Sequence, residues 1–384
     1  MRIRDIQVVN LRFEYAPGQR FRYAGGTCTG RLTSLVEVRT NAGVSGIGSV
    51  YSHPDLVRLI VERHLRSALV GENPLDTEQI WDRCYRLTRW YGRKGAAISA
   101  LGGIDIALWD IRGKVEGKRV CDLLGPARGR VPAYASALLW KRAPRALAEE
   151  ARRHVEAGFQ AMKMRLGKSP IYDRKALRAV REAVGPDVRL MVDGNARYSV
   201  DEARSIAPRL RRAGAFWLEE PFAPEAPDLF RALAPDLAGI PLAAGENEFG
   251  LQGFRELIDQ DVVQIVQPDC CRCGGLTEAA RIARHAAQRG IPFAPHTWSD
   301  AVALIANMHL VAAIPSGLTV EVDRTGNPFI DDLLLGGLPV EDGRAVLPKG
   351  PGLGIRLNPD VVSRYTVPKG EPTPPGNYSD MVFR

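Results

Sequence analysis

Residues 189–221 read RLMVDGNARYSVDEARSIAPRLRRAGAFWLEEP. A short apolar run ends in an acid (RLMVDG), an Arg- and Ala-rich amphipathic stretch follows, and a second apolar run ends in two acids (FWLEEP). Strands and helices that alternate in this way build a parallel sheet, because each return to the start of the next strand needs a crossover. The same grammar extends in both directions. Candidate strands fall at 131–136 (VPAYAS), 160–165 (QAMKMR), 189–194, 216–221, 241–246 (PLAAGE), 262–269 (VVQIVQPD), 292–297 (PFAPHT) and 318–323 (LTVEVD). Eight units between residues 131 and 323 suit a closed (β/α)8-type barrel better than an open doubly wound sheet of five or six strands.

Upstream, the apolar residues from Met1 to about Gly48 alternate (Ile3, Ile6, Val8; Leu35, Val36, Val38, Val44, Ile47), and TNAG between Val38 and Val44 predicts a hairpin. Residues 54–70, 75–92 and 96–116 read as helices; in the last, Ile98, Leu101, Ile104, Leu108 and Ile111 form one stripe. An α+β unit over 1–128 is therefore expected, closed by the Gly125-Pro126 break, with the barrel over 129–325. Residues 326–384, rich in Pro and Gly, are expected to pack back on the first unit.

The composition agrees with a folded enzyme-sized protein. Of 384 residues, 45% are hydrophobic and 25% charged, which excludes wholesale disorder. The net charge is +8, but the 52 Lys and Arg are interleaved with 44 Asp and Glu, so no nucleic-acid partner is expected. There is no apolar run long enough to span a membrane, and MRIRDIQVV alternates like a strand rather than a signal-peptide core, so the expected compartment is the cytoplasm. Six cysteines in so long a chain make no disulfide framework, as in a reducing compartment, and the sequon Asn377-Tyr378-Ser379 is expected to carry nothing.

The informative residues close the strands: Lys163 and Arg165, Asp193, Glu219, Glu246, Asp269, His296 and Glu321, at intervals of 23 to 30 residues. In a barrel these ends converge on the face that carries the chemistry. Any one of them could simply pair with a cation or cap a helix. Asp193, Glu219 and Glu246 on successive strands would nonetheless bring three anions together, and a hard oxygen set of this kind suits Mg²⁺ rather than zinc. Asp269 on the strand beside His296 would accept a hydrogen bond from one ring nitrogen and raise the basicity of the other, making a general base. Glu321 would hydrogen-bond a substrate oxygen if protonated, or pair with a cation.

Together with SALGGIDIALWDIRGKVEGKRVCDLLG (99–125), KMR (163–165), VDGN (192–195), LEEP (218–221), AGEN (244–247), QPDCCRCGG (267–275) and PHT (295–297), these residues resemble the enolase superfamily, mandelate racemase subgroup, over nearly the whole chain. The resemblance implies an α+β cap over a modified (β/α)7β barrel and a reaction that begins with loss of the proton α to a carboxylate held by Mg²⁺. It implies Asp193, Glu219 and Glu246 as metal ligands, His296 with Asp269 as the catalytic dyad, Glu321 as the acid at the substrate carboxylate, and a homo-oligomer, dimer or octamer.

One position departs from the pattern. The family's second strand typically ends K-x-K, the second Lys being a base on the opposite face of the substrate; here it reads Lys163-Met164-Arg165. Arginine does not readily give up its proton, so Arg165 suits electrostatic work. Racemisation needs a base on each face, which favours instead a single-base dehydration of an acid sugar, with Lys163 on the substrate carboxylate. A racemase, epimerase or cycloisomerase with Lys163 recruited as second base, or a barrel without turnover, are the alternatives. Substrate contacts are expected from Asn195 and Trp298 in the barrel and from cap segments 14–30 (Tyr15, Arg20, Arg22, Tyr23) and 50–55 (His53). Arg20 and Arg22 would meet a distal carboxylate, although loop arginines are commonly just solvated. Cys270 and Cys273 have CxxC spacing around Cys271, without a second cluster for zinc, and are expected to line the loop after the sixth strand and sensitise it to oxidation.

Overall fold

The computed structural model of this chain describes residues 1–338, 340–374 and 380–383, with the side chain of Phe383 excepted. The sequon at 377–379 lies outside them. The alternating amino-terminal segment forms an antiparallel sheet of β1 (Ile3–Glu14), β2 (Phe21–Tyr23), β3 (Gly26–Thr40) and β4 (Ser45–Val50). Its register pairs Ile6 with Val38 and Val8 with Val36, so the apolar set shares one face. The expected hairpin closes through Thr40 N–H to Val44 O at 3.0 Å.

Helix Ala96–Glu116 crosses this sheet at backbone contact. A Cβ on Gly46 or Gly48 would fall 2.0 Å from the carbonyl oxygens of Ala107 and Gly103, so glycine is required at both. The stripe foreseen on this helix is buried, yet so is most of its circumference, because the other side packs on the barrel. There Asp105 accepts from Thr277 N–H (2.8 Å) and Oγ1 (2.6 Å), and Trp109 Nε1 donates to the same hydroxyl at 2.8 Å. The helix expected at 54–70 runs as Pro54–Leu59, a π-turned stretch Ile60–Leu65 and Arg66–Leu69.

The barrel strands are β5 (Arg130–Ser136), β6 (Ala161–Arg165), β7 (Arg189–Asp193), β8 (Ala215–Glu219), β9 (Leu242–Ala244), β10 (Ile265–Val266) and β11 (Val320–Asp323), all parallel, with β11 closing on β5. The stretch 292–297 does not form the expected strand. Pro292 and Pro295 have no N–H to donate, and the ring is completed by Phe293 alone, bridged to Val266 and Gly317. Val266 N–H to Pro292 O (3.1 Å), Ala294 N–H to Val266 O (3.0 Å) and Leu318 N–H to Phe293 O (2.8 Å) carry the closure. Inside, Tyr134, Ala161, Met191, Trp217, Ala243, Ile265 and Ala294 fill the floor. Seven helices, from Pro144–Glu156 to Ala301–Ala313, wrap the outside, giving the (β/α)7β order. No helix among the described residues is long and apolar enough to cross a membrane.

After the barrel, the hairpin β12 (Val340–Glu341) and β13 (Arg344–Val346) pairs antiparallel with β5, and β14 (Asp380–Phe383) joins the cap sheet beside β3. Cap and barrel are also tied at Asp300, which caps helix Ala301–Ala313 through Ala303 N–H (3.0 Å) and accepts from Ser49 Oγ (2.6 Å) and Thr33 Oγ1.

Inside that helix, His309 is fully buried, its Nδ1 accepting from Cys121 N–H (3.1 Å) and its Nε2 donating to Leu353 O (3.2 Å). Both bonds require the neutral ring, and burial pushes its pKa down to about 4. Because the unfolded chain binds this proton near pH 6.5 and the folded one does not, His309 stabilises the fold above that pH and the contribution is lost as pH falls toward 4. Urea unfolding of wild type and His309→Gln at pH 7 and pH 4 should show wild type losing about 3 kcal/mol more than the variant across that window; equal losses would contradict the neutral tautomer.

Candidate active site

The foreseen strand-end residues meet at the carboxyl-terminal face of the barrel, all buried except Glu246, which is half-buried. Lys163, 0% exposed, stands among three carboxylates: Glu219 Oε1 at 2.5 Å, Glu321 Oε1 at 2.9 Å and Asp193 Oδ2 at 3.7 Å. Its ammonium also lies 5.7 Å over the ring of Tyr134, which packs edge-on against Trp217, whose Nε1 donates to Glu219 Oε2 at 3.0 Å. Burial and the Arg165 charge oppose the ammonium, but the three anions outweigh them and hold Lys163 well above its usual pKa. Arg165 reaches Asp193 Oδ2 with Nε at 3.2 Å and Glu321 Oε1 with Nη2 at 3.7 Å, leaving Nη1 buried without a partner among the described residues.

Asp193, Glu219 and Glu246 offer carboxylate oxygens that all lie within 4.8 Å of one another. Burial pushes Asp193 and Glu219 above the usual carboxylate range even with Lys163 and Arg165 beside them. Just past these strand ends, Asn195, Ala196 and Glu220 take φ of 43°, 55° and 32°. Such left-handed residues carry backbone strain; here they turn the chain so that Asn195 N–H and Nδ2 donate to Asp193 (2.7 and 3.1 Å). Glu220 is turned the other way, onto Asn247 Nδ2 at 2.9 Å.

His296 and Asp269 are brought within hydrogen-bond reach of one another. His296 Nδ1 lies 2.9 Å from Asp269 Oδ2, and Nε2 is turned toward Glu246 Oε2 at 3.6 Å. Cys271 N–H holds the other oxygen of Asp269 at 2.8 Å, and Asn307 Nδ2 holds His296 O at 2.9 Å. Burial alone would lower His296; Glu246, Asp269 and Glu321 overcome it and lift the imidazole to about 9. Glu321 takes the cation-paired of its two foreseen states. Burial would raise its pKa, but Lys163, His296 and Arg165 hold it well below the usual range, with Ser136 Oγ (2.6 Å) and Thr297 N–H (3.0 Å) donating to it. Ser136 ends its strand, where the strand-end rule would have pointed.

The remaining foreseen residues divide. Trp298 belongs to the cluster, but its ring meets two guanidiniums, Arg31 at 4.4 Å and Arg165 at 5.1 Å, while Nε1 donates to Asp380 Oδ2 at 3.1 Å. Arg31, fully buried on β3, also binds Asp323 (2.7 Å), Asp380, Thr325 (2.8 Å) and the Tyr15 hydroxyl (3.2 Å). Tyr23 donates to Asp380 Oδ2 at 3.1 Å. Sequence reading missed Arg31, since its acid partners Asp323 and Asp380 stand 292 and 349 residues away. Arg20 and Arg22 are exposed, Arg22 bridging through its backbone to Trp140 (3.0 Å), and neither shows a contact with the cluster among the described residues. His53 is half-buried at the start of helix Pro54–Leu59, with Nδ1 unpartnered among the described residues. Tyr51, 5.3 Å from the His296 ring, and Arg272, 5.2 Å over Tyr51 and bonded to Asn247 at 2.9 Å, were not foreseen.

The thiols of Cys270, Cys271 and Cys273 do not form a reactive loop. All three are fully buried, and burial holds each well above its usual pKa, so the oxidation sensitivity expected from CxxC spacing is corrected. Cys28, Cys84 and Cys121 are buried and free as well. An aromatic disulfide reagent should label fewer than about one thiol per native chain and all six after denaturation; rapid native labelling of two or more would contradict this burial.

Two family descriptions match this chain: "Enolase C-terminal domain-like" over residues 146–361 and "Mandelate racemase / muconate lactonizing enzyme, N-terminal domain" over 6–125. Among curated relatives, D-galactarolactone cycloisomerase of Agrobacterium fabrum is 37% identical over 354 residues, 88% of this chain and 92% of that one. Arabinonate dehydratase of Saccharolobus solfataricus is 32% identical over 370 residues, 94% and 99% of the two. A solved racemase from Streptomyces coelicolor A3(2) with bound magnesium superposes with a TM-score of 0.88 at 26% identity, covering 95% of this chain and 100% of that one. The chain belongs to the mandelate racemase and muconate lactonizing enzyme family of the enolase superfamily.

Proposed function

We propose that this member of the family is a magnesium-dependent hydro-lyase that dehydrates an acid sugar, aldonate or aldarate, to a 2-keto-3-deoxy acid. The observation that carries the reading is the asymmetry of the site. One imidazole, His296, is oriented by Asp269 (2.9 Å), while both basic residues of β6 are tied into carboxylates and one of them is an arginine. A site with a base on one side supports elimination rather than racemisation.

Asp193, Glu219 and Glu246 would hold Mg²⁺: their donors are all hard oxygens, without His or Cys, and the magnesium-bound relative supports the assignment. Charge supports it too. Five carboxylates, those three with Asp269 and Glu321, face the fixed cations Lys163 and Arg165, a deficit that a divalent ion would reduce. When bound, the ion supplies positive charge to the substrate carboxylate as its α-proton leaves.

The chain's own groups do the rest. Lys163, pinned at a fixed position, offers its ammonium to the same carboxylate and stabilises the enediolate. His296 Nε2 takes the α-proton, and the electron pair moves into the carboxylate. His296 must be neutral to do so, and Glu246, 3.6 Å from Nε2, is a carboxylate that keeps it charged and also one the trio commits to the cation. The enediolate then expels the β-hydroxyl, which leaves as water with the proton from Nε2, and the enol becomes the 2-keto acid. One residue serves as base and then acid, so the elimination is syn.

Relatives named arabinonate, D-xylonate and L-rhamnonate dehydratase support this reading at 31–33% identity. A cycloisomerase is the second reading, favoured by the 37% identical D-galactarolactone cycloisomerase. It would keep the same proton abstraction, with a ring oxygen leaving in place of hydroxyl.

A screen of aldonates, aldarates and their lactones with Mg²⁺, read by semicarbazide absorbance and product mass, separates the two. The expected product is one water lighter than its acid substrate and is lost with EDTA; His296→Asn lowers kcat by about 10²–10⁴-fold without unfolding the chain. A product of unchanged mass, formed only from lactones, selects the cycloisomerase, and no product from any of them overturns both.

A further inference from the structure

Gln267 lies at the end of β10, beside the dyad, and takes no part in the scheme above. We propose that its side-chain amide is a recognition group for a hydroxyl of the substrate, an inference that rests on the acid-sugar reading.

The residue is fully buried, and neither Nε2 nor Oε1 has a hydrogen-bond partner among the described residues. Its backbone, by contrast, is in use: its N–H donates to Ala244 O at 3.0 Å, extending the β9–β10 ladder one residue beyond the strand. That ladder fixes where the side chain goes. Ile265 belongs to the interior floor with Met191, Trp217, Ala243 and Ala294, and strand side chains two apart share a face. Gln267 therefore enters the barrel one layer nearer the mouth, between the strand ends that carry Glu246 and His296. Across the ladder Gly245, at φ 136°, carries no side chain; a Cβ there would meet the Phe254 ring at 2.7 Å and Gln267 N at 3.0 Å.

A primary amide left unpaired in a protein interior is costly, and a methionine or leucine would fill the same volume without that cost. The retained polarity is explained by a ligand that satisfies it. The amide carries two donors and one acceptor. A carboxylate would leave the acceptor oxygen facing another oxygen, whereas a hydroxyl, donor and acceptor at once, matches both ends. A polyhydroxylated carboxylate bound at His296 brings such groups to this depth.

Gln267→Met, with Gln267→Leu as second variant, tests the proposal through thermal unfolding without substrate, Mn²⁺ affinity and steady-state kinetics. The expected result is a melting temperature equal to or above wild type, unchanged Mn²⁺ affinity, and kcat/KM lower by about tenfold, the loss shrinking with a substrate that lacks the recognised hydroxyl. A melting temperature lowered in both variants marks the amide as structural and overturns the proposal. So does kcat/KM within about twofold of an active wild type, an outcome that leaves the dehydratase reading standing. A wild type inactive on every acid sugar overturns the reading beneath it.

Discussion

The ammonium of Lys163, buried among Glu219, Glu321 and Asp193, is the interaction on which the rest of the barrel mouth depends. Like charges converging on one face repel, and in a buried setting the repulsion is large. Lys163 and Arg165 let the carboxylates of β7, β8 and β11 approach one another, and the aromatic floor of Tyr134 and Trp217 fixes the height at which the ammonium stands. Removing either cation would leave uncompensated charge, for which buried pairs typically show losses of about 3–5 kcal/mol. The arrangement is thus costly to the fold and useful to the chemistry, as strained and charged sites commonly are.

The cap is coupled to this cluster by a second buried arginine. Arg31 joins Asp323 at the end of β11 to Asp380 of β14 and lies over Trp298, whose ring also meets Arg165. Sheet, barrel and carboxyl-terminal strand therefore share one charged stack that ends at Asp193. Trp298 meets both guanidiniums, and its indole N–H is held by Asp380 of the carboxyl-terminal strand.

The strand ends were legible because a barrel converts a sequence interval into spatial convergence: an ionisable residue every 23 to 30 positions needs no contact information to be placed. The dyad was legible for the same reason, Asp269 and His296 standing one βα unit apart. Arg31 was not, because its partners Asp323 and Asp380 lie far along the chain and nothing in local periodicity joins them. The strand expected at 292–297 did not form: the repeating strand–helix grammar does not register two prolines that cannot donate to a ladder. The CxxC spacing misled in the opposite direction: burial, which spacing does not report, makes those thiols inert.

The central claim is that three strand-end carboxylates form one divalent-cation site whose charge Lys163 and Arg165 only partly balance. Calorimetric titration of Mg²⁺ into the metal-free protein tests it without any knowledge of the substrate. The account predicts one ion bound per chain and loss of that binding in Glu219→Gln with the fold retained; absence of binding at millimolar Mg²⁺, or binding indifferent to Glu219, would contradict it.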